Sequence, residues 1–190
     1  LRKTGYVIEK RTPVPEELTI LDGPPPARSK LFRAGRFLLQ DPASMLPAHL
    51  LEPGPGMRVL DVSAAPGGKT THLAALASGE ARVTAMDVRP AKTALVAENV
   101  ERLGTPGVSV VCGDGLAPPF AGGFDRVLVD APCTGLGTLR RHPDLKYRIG
   151  PRDVEELARV QAGLLRSAMA LCKNAGLIVY SVCTFSMPET

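Results

Sequence analysis

Short apolar runs alternate with amphipathic stretches through most of the chain, and this pattern predicts alternating strands and helices. Mostly apolar runs of strand length occur five times, at 57–62, 81–86, 108–111, 124–129 and 177–182. Apolar positions recur at helical spacing in three stretches, 69–77, 90–103 and 151–171. Strands that are apolar along their whole length are typical of parallel sheets covered by helices. The pattern therefore predicts an α/β fold with a mostly parallel sheet and helices on both faces.

The two ends of the chain depart from this pattern. Residues 1–44 are rich in proline and have no sustained period. We expect them to form an N-terminal extension, with at most one short hairpin, packed on a main domain of residues 45–190. The chain ends directly after the fifth predicted strand, which would be an unpaired edge in the common order 3-2-1-4-5. We therefore expect further C-terminal strands to be missing from this chain.

Composition changes little in this picture. The 190 residues are 44% hydrophobic and 22% charged, which suits one ordinary globular domain. No run approaches the roughly 18 apolar residues of a membrane span, and the N-terminus has no signal-peptide core. We expect a cytoplasmic protein with no membrane partner.

The net charge of +4 is unevenly placed. Residues 1–40 hold eight Lys or Arg against four Asp or Glu, whereas residues 41–190 hold fifteen of each. A second basic cluster follows the fourth predicted strand and is interrupted only by Asp144; its members are Arg140, Arg141, Lys146, Arg148 and Arg152. Basic stretches beside a pocket would suit a phosphate backbone, although a solvated surface has the same composition.

Four widely spaced cysteines give no sign of a metal site. They form no CxxC pair and have no nearby histidine, so we expect no metal and no disulfide framework. Cys172 lies on the apolar stripe of a predicted helix and Cys112 ends a predicted strand, so both are expected to be structural. Cys133 and Cys183 instead follow predicted strands at loop positions, which are poor environments for a core thiol.

Polar or reactive side chains lie at or just after the ends of all five predicted strands. These residues are Asp61, Asp87, Asp114, Asp130 and Cys183. In open parallel sheets, ligands bind at the carboxyl ends of the strands. The sequence thus predicts one site along this rim.

Residues 61–70 (DVSAAPGGKT) leave a strand and begin a helix, as nucleotide-binding loops do. Paired glycines allow a close backbone approach, and a helix N-terminus offers free N–H groups. The P-loop pattern GxxxxGK[ST] fails because position 63 is Ser, and no GxGxxG is present. Asp87 is placed to accept hydrogen bonds from ribose hydroxyls, and Asp114 could meet an adenine amino group. Together these features favour an adenosyl cofactor.

Four segments carry a resemblance to a known family. They are 40–44 (QDPAS), 64–70 (AAPGGKT), 130–135 (DAPCTG) and 180–184 (YSVCT). From about residue 35 to its end the chain resembles the Nop2/Sun (RsmB-like) family of RNA cytosine-C5 methyltransferases. Residues 139–144 (LRRHPD) resemble most closely the bacterial small-subunit rRNA branch. Ser63 stands where the family usually has a Cys that is not the nucleophile.

This resemblance implies a Rossmann-like class I methyltransferase fold that binds S-adenosylmethionine. The residues implied in cofactor binding are Ser63, Ala64, Ala65, Pro66, Gly67, Gly68, Lys69, Asp87, Asp114 and Asp130. It also implies methyl transfer to C5 of a cytosine in RNA through a covalent cysteine–C6 adduct. The expected substrate is 16S rRNA, with tRNA as the alternative. The sequence does not indicate an oligomeric state.

Cytosine C5 becomes nucleophilic only after a thiolate adds to C6, which gives the two loop cysteines a chemical use. The residues alone leave two assignments open. A Pro-Cys thiol after the fourth strand attacks in DNA cytosine methyltransferases, which would nominate Cys133. The resemblance to the RNA family implies instead that Cys183 attacks and Cys133 assists product release. By the same resemblance, Asp130 acts near N3, and Lys69 holds the base or polarises the site.

Two other classes of function remain open at this point. An N6-adenine or small-molecule methyltransferase would use the same cofactor fold without depending on either thiol. A non-catalytic RNA-binding module would retain RNA without methyl transfer.

Overall fold

The computed structural model describes residues 5–12 and 14–190. Its N-terminal part contains a short antiparallel hairpin, β1 (Val7–Glu9) and β2 (Thr19–Asp22), followed by helices α1 (Lys30–Arg33) and α2 (Pro42–Leu51). The hairpin agrees with the one expected there. The predicted division at residues 44 and 45 falls within α2 and stays a prediction.

Helix α2 is not predicted by the sequence pattern, because a proline inside a helix removes a hydrogen bond. Asp41 caps the start of the helix, and its Oδ1 accepts a hydrogen bond from the N–H of Ala43 at 2.9 Å. Pro42 occupies the first turn, where no N–H is needed. Ala48 and Leu51 are fully buried. Packing of this apolar face therefore stabilises α2 in spite of Pro47.

Five strands follow in the main part of the chain. They are β3 (Arg58–Val62), β4 (Arg82–Asp87), β5 (Val108–Cys112), β6 (Phe124–Asp130) and β7 (Cys172–Ser181). All pair in parallel, in the order β5-β4-β3-β6-β7. In the register of the sheet, Leu60 of β3 lies beside Thr84 of β4 and Val127 of β6. This is the expected 3-2-1-4-5 arrangement, and the predicted α/β fold is confirmed.

Four helices accompany these strands: α3 (Gly68–Leu76), α4 (Pro90–Leu103), α5 (Leu145–Arg148) and α6 (Pro151–Leu171). Helix α4 has the predicted bounds, with Pro90 in its first turn and Gly104 after its end at a φ of 61°. The side chain of Asp153 accepts a hydrogen bond from the N–H of Gly150 at 2.7 Å and fixes the start of α6. Three-residue 3-10 helices occur at Pro26–Arg28, Leu136–Thr138 and Met187–Glu189.

The two faces of the sheet are covered by different helices, because successive strand residues point to opposite faces. On one face the buried residues of the sheet and of α6 form a core with Leu60, Val62, Met86, Val127, Val129, Leu164, Ala168 and Leu171. On the other face, α2 and α3 pack on the sheet through Ala48, Leu51, Val59, Leu73, Val83 and Leu128. Val96 of α4 packs on Ala85 on that same side. The central strands β3, β4 and β6 are therefore buried on both sides, which leaves the carboxyl rim of the sheet for function.

Strand β7 begins five residues before its predicted start. The pairing with β6 shifts register between Phe124 and Arg126, which lie beside Cys172 and Leu177. The intervening residues 173–175 are exposed, so they do not carry the apolar signal of a buried strand. Cys172 opens this strand instead of ending the helix, and it packs half-buried against the core. Among the described residues, no helix combines the length and the apolar character needed to cross a membrane.

Candidate active site

The two loop cysteines meet at the rim of the sheet. Cys133 follows β6 and Cys183 follows β7, which is the neighbouring strand. Their sulfur atoms are 3.2 Å apart, and the N–H of Cys183 donates to the sulfur of Cys133 at 3.3 Å. The N–H of Ala131 donates to the carbonyl of Ser181 at 2.9 Å, so pairing of the two strands continues up to the cysteines.

The surroundings of the two sulfurs favour ionisation of one of them. The pKa of Cys133 is lowered to about 7, because the Cys183 thiol and the backbone N–H groups of Cys183 and Gly135 donate hydrogen bonds to it. The pKa of Cys183 is raised, because its proton is held by the Cys133 sulfur and because burial and the charge of Asp130 oppose its ionisation. The singly ionised pair therefore keeps its proton on Cys183.

An ion pair lies beside these thiols. Lys69, in the first turn of α3, donates from Nζ to Oδ2 of Asp130 at the end of β6, at 2.7 Å. The Lys69 side chain is 15% exposed and that of Asp130 is 30% exposed. Both charges act on the pKa of Cys183, in opposite directions. The structure therefore brings together all four residues predicted to be catalytic.

The loop between β3 and α3 folds tightly against its neighbours. The N–H of Ala64 donates to the carbonyl of Met86 at 2.9 Å, and the N–H of Gly67 donates to that of Ala64 at 2.8 Å. Gly67 has a φ of 99°, and a Cβ there would lie 3.2 Å from the Cα of Val96. Position 67 therefore requires glycine. Ser63 also has a positive φ, 63°, which is uncommon for a residue with a side chain.

Asp61 lies beneath this loop and is fully buried. Its Oδ2 accepts a hydrogen bond from the Thr70 hydroxyl at 2.6 Å, whereas Oδ1 has no partner among the described residues. Burial raises the pKa of Asp61 to about 7, and the charges of Asp130 and Asp87 act in the same direction. Asp61 thus ties β3 to α3 and is not open to a ligand as the strand-end pattern suggested.

A cavity of about 210 Å³ adjoins the loop at the ends of β4 and β5. Asp87 and Asp114 both line it, together with Ser63, Pro132, Val160 and Leu164. The buried Asp87 carboxylate accepts hydrogen bonds from the N–H groups of Ala65 and Arg89, both at 3.3 Å. Asp114 is exposed and accepts from the N–H of Leu116 at 2.9 Å. Three of the predicted cofactor-binding residues, Ser63, Asp87 and Asp114, therefore line one cavity.

Comparison with known proteins identifies the family of this chain. The family described as 16S rRNA methyltransferase RsmB/F matches residues 48–190. The chain belongs to this family. The resemblance to Nop2/Sun (RsmB-like) enzymes that the four sequence segments carry is confirmed.

Relatives of this RsmB/F chain include a probable ribosomal RNA small subunit methyltransferase B from Bacillus subtilis (strain 168). It is 38% identical over 191 residues, which cover 97% of this chain and 42% of that protein. Ribosomal RNA small subunit methyltransferase B of Yersinia pseudotuberculosis (serotype O:1b, strain IP 31758) is 40% identical over 161 residues, covering 83% and 37%. The chain thus spans less than half the length of these curated relatives.

Solved structures also include proteins similar to this chain in fold and sequence. The crystal structure of PH0851 has a TM-score of 0.94 and 33% identity, covering 100% of this chain and 43% of that one. NSun6 from Pyrococcus horikoshii, solved with SFG, has a TM-score of 0.82 and 35% identity, covering 87% and 43%. The Rossmann-like fold of methyltransferases is therefore confirmed for this RsmB/F chain.

The basic cluster of this RsmB/F chain divides into two groups. Arg141 forms an ion pair with Asp41, and Nη1 of Arg148 lies 3.1 Å from Oδ2 of Asp144. The other three members, Arg140, Lys146 and Arg152, are exposed and form no salt bridge with a described residue. These three are the cations most available to a phosphate backbone.

A cluster of three potential metal ligands lies away from the rim of the sheet. The Glu16 carboxylate contacts both His72 and His49, with 2.7 Å between its Oε1 and Nε2 of His49. Burial lowers the pKa of His72. Within the described residues this is the one group of three such side chains, and the expectation that no metal is bound stays a prediction.

Sequence reasoning missed two kinds of residue near the site. Val160 and Leu164 of α6 line the cavity, but their spacing gave them the signature of core positions. Gln161 and Glu189 are buried polar residues, at 2% exposure each, that contact the cysteine loops. Only the interruption of an apolar helix face by Gln161 was a signal, and Glu189 had none.

Proposed function

We propose that this chain transfers a methyl group from S-adenosylmethionine to C5 of a cytosine in RNA, with small-subunit rRNA as the substrate. The observation that carries the proposal is the pair of thiols 3.2 Å apart, beside the Lys69–Asp130 ion pair. Neither N6-adenine nor small-molecule methylation gives two adjacent thiols a use. Membership of a 16S rRNA methyltransferase family supports rRNA over tRNA. Action on rRNA would fit the expected cytoplasmic location.

The cavity at the ends of β4 and β5 suits the cofactor. S-adenosylmethionine, when bound, supplies an electrophilic methyl group. The Asp87 carboxylate keeps acceptor capacity beyond its two long bonds to backbone N–H groups, so it can receive ribose hydroxyls. Asp114 would meet the adenine, and loop residues 63–68 with Lys69 and Asp130 would adjoin the methionine part. The SFG held by the homologous NSun6 structure supports a nucleoside-type ligand at this fold.

In the proposed reaction Cys183 attacks and Cys133 handles protons. As the sulfur of Cys183 bonds to C6 of the base, its proton moves to the Cys133 thiolate, which lies 3.2 Å away. The electron pair of the C5–C6 double bond shifts toward N3, which takes up a proton from solvent, and the Asp130 carboxylate accepts a hydrogen bond from the resulting N3–H group. After C5 is methylated, solvent accepts the C5 proton, the C5–C6 double bond re-forms and the C6–S bond breaks. The sulfur of Cys183 then takes back the proton held by Cys133, and N3 returns its proton to solvent.

This assignment is tested by trapping the adduct. A fluorine at C5 cannot leave as a proton does, so RNA containing 5-fluorocytosine should remain bonded to the full-length protein after methyl transfer. Cys183→Ser should abolish the adduct, whereas Cys133→Ser should still form it. Adduct formation that survives Cys183→Ser and is lost in Cys133→Ser would reverse the two roles. Absence of any adduct or methyl transfer to RNA would contradict the proposed function.

A further inference from the structure

A buried carboxylate joins the two loops that carry the cysteines. Glu189 lies in the 3-10 helix Met187–Glu189, six residues after Cys183, and its side chain points into the protein at 2% exposure. Its Oε1 accepts from the N–H of Thr134 at 2.9 Å, and its Oε2 accepts from the Thr134 hydroxyl at 2.6 Å. The residue directly after Cys133 is therefore held by both oxygens of one carboxylate.

The same carboxylate reaches the residue directly after the second cysteine. The Thr184 hydroxyl donates to Oε2 of Glu189 at 3.3 Å, and the hydroxyls of Thr134 and Thr184 are 2.9 Å apart. A three-membered hydrogen-bond network therefore links positions 134 and 184. Because each threonine is covalently adjacent to a reactive cysteine, the network constrains the separation of the two sulfurs.

The network is fixed to the rigid part of the fold. Nε2 of Gln161, on α6, donates to Oε1 of Glu189 at 3.1 Å and to the carbonyl of Pro132 at 2.8 Å. The Tyr180 hydroxyl, on β7, donates to the backbone carbonyl of Glu189 at 2.9 Å. A helix and a strand thus hold Glu189 from two sides, which is how a precise site is usually supported.

The carboxylate is ionised in this setting. Burial alone would raise the pKa of Glu189, but hydrogen bonds from Thr134, Gln161 and Thr184 outweigh it and lower the pKa below its ordinary value. A buried charge of this kind gives little net stability compared with a well-packed apolar residue. A role in geometry explains its presence better than a role in stability.

We propose that Glu189 is a positioning residue that holds the Cys133 and Cys183 loops together and so sets the contact between the two sulfurs. The proposal rests on the proposed function for its catalytic meaning. The contacts that hold the two loops together all lie within the chain, so the positioning role can be measured without RNA or cofactor.

The experiment measures the alkylation rate of Cys133 against pH in the full-length protein, by peptide mass spectrometry with iodoacetamide and without RNA or cofactor. The charged and titratable groups facing the pair are Lys69, Asp130, Tyr180, Cys183 and Glu189. In Glu189→Ala the donors from Cys183 should move away from Cys133, so the pKa of Cys133 should rise toward the ordinary 9.0. Alkylation at pH 7 should then fall about tenfold.

The direction of the shift separates positioning from a simple charge effect. The negative charge of Glu189 raises the pKa of Cys133, so its removal alone would lower that pKa and speed alkylation. Glu189→Gln keeps an acceptor for the Thr134 N–H and removes the charge, so its alkylation rate should equal or exceed that of the unmodified protein. Faster alkylation in Glu189→Ala as well would overturn the proposal.

Two further variants separate positioning from loss of stability. Val83→Ala weakens the core in β4, on the face of the sheet away from α6, and should leave the Cys133 profile unchanged. If Glu189→Ala does not fold, Thr134→Val removes the hydroxyl of the network while the carboxylate stays, and should slow alkylation at pH 7. A Val83→Ala profile equal to that of Glu189→Ala, or a Thr134→Val profile equal to that of the unmodified protein, would contradict positioning.

Trapping with 5-fluorocytosine RNA distinguishes the two proposals. Suppose that the unmodified protein forms no adduct, but Cys133 is alkylated more slowly in Glu189→Ala than in the unmodified protein and in Glu189→Gln. Glu189 then positions the thiols and the proposed function is wrong. If the adduct forms and Glu189→Ala alkylates like the unmodified protein, the proposed function stands and the positioning role is wrong. Where both hold, Glu189→Ala should lower kcat for methyl transfer with KM for RNA little changed.

Discussion

At the scale of single residues, the main feature of the site is the unequal sharing of one proton. Backbone and side-chain donors converge on the sulfur of Cys133, whereas no donor among residues 5–12 and 14–190 converges in that way on the sulfur of Cys183. Cys183 therefore keeps its proton at neutral pH, whereas Cys133, with a pKa of about 7, is partly a thiolate; in the proposed reaction the protonated thiol is the one that attacks. In the proposed reaction this division lets Cys133 act as a base for Cys183 before the methyl group moves, in addition to any role after it.

The division predicts how adduct formation depends on pH. The rate should rise as pH increases through about 7, since Cys133 must lose its proton before it can accept that of Cys183. Cys133→Ser should slow the adduct about tenfold or more at pH 7 and shift the rise to higher pH. The measurement is the rate of adduct formation with 5-fluorocytosine RNA from pH 6 to pH 9. An unchanged pH profile in Cys133→Ser would contradict a proton transfer between the thiols.

Asp61 gives a second prediction at this scale. Its folded-state pKa of about 7 exceeds the ordinary 3.8, so the stability it contributes is present below about pH 4 and is lost as pH rises toward 7. Asp61→Asn keeps an acceptor for the Thr70 hydroxyl and carries no charge. Its free energy of unfolding, relative to that of the unmodified protein, should therefore be a few kcal/mol larger at pH 8 than at pH 4, at about 1.4 kcal/mol per pKa unit.

Urea unfolding at the two pH values measures this difference. Asp22→Asn, at an exposed position on β2, is the matched control and should change the free energy of unfolding equally at both. A relative stability of Asp61→Asn that does not vary with pH would show that Asp61 is not buried as a titrating acid.

At the scale of elements, the site is formed where the strands end and the neighbouring loops begin. The carboxylate of Asp87 ends β4 and holds the N–H of Ala65 in the neighbouring loop. Asp87→Ala should therefore remove both a ligand acceptor and a loop contact, and should weaken binding of S-adenosylmethionine by about 10- to 100-fold, as loss of hydrogen bonds to a charged group does. Calorimetric titration gives the Kd. Glu98→Gln changes an exposed residue of α4 and should leave the Kd unchanged. If Asp87→Ala has the same Kd as Glu98→Gln, the proposed cofactor site is excluded.

The elements also show which parts of the structure a sequence can predict. Interiors of β3, β4 and β6 were predictable because a strand covered on both faces is apolar throughout, and the rim residues followed from parallel pairing. Helix α2 was not, because packing of Leu51 outweighs the effect of Pro47 on the local pattern. Glu189 was not, because its partner Thr134 is 55 residues away along the chain and only the fold brings the two together.

At the scale of the whole molecule, exposed cations lie in the region between β6 and α6, and we expect the proposed RNA substrate to bind from that side. The three exposed cations of that region, Arg140, Lys146 and Arg152, lie in or next to the segment that leads away from Cys133. Arg141 and Arg148 are already neutralised by Asp41 and Asp144. The two groups share a sequence neighbourhood and differ in pairing, which allows a matched comparison.

Replacing all three exposed cations by Ala should weaken RNA binding in a salt-dependent manner, because each phosphate contact releases a counterion. The slope of log K against log salt should fall by about 2 to 3, since each contact contributes about 0.7 to 0.9. Arg141→Ala with Arg148→Ala should change the slope much less, because those guanidinium groups would first have to leave their carboxylates. Filter binding of small-subunit rRNA fragments at several salt concentrations measures both slopes. Equal effects of the two sets, or a lost affinity for S-adenosylmethionine in the triple variant, would argue against this loop as the RNA-facing surface.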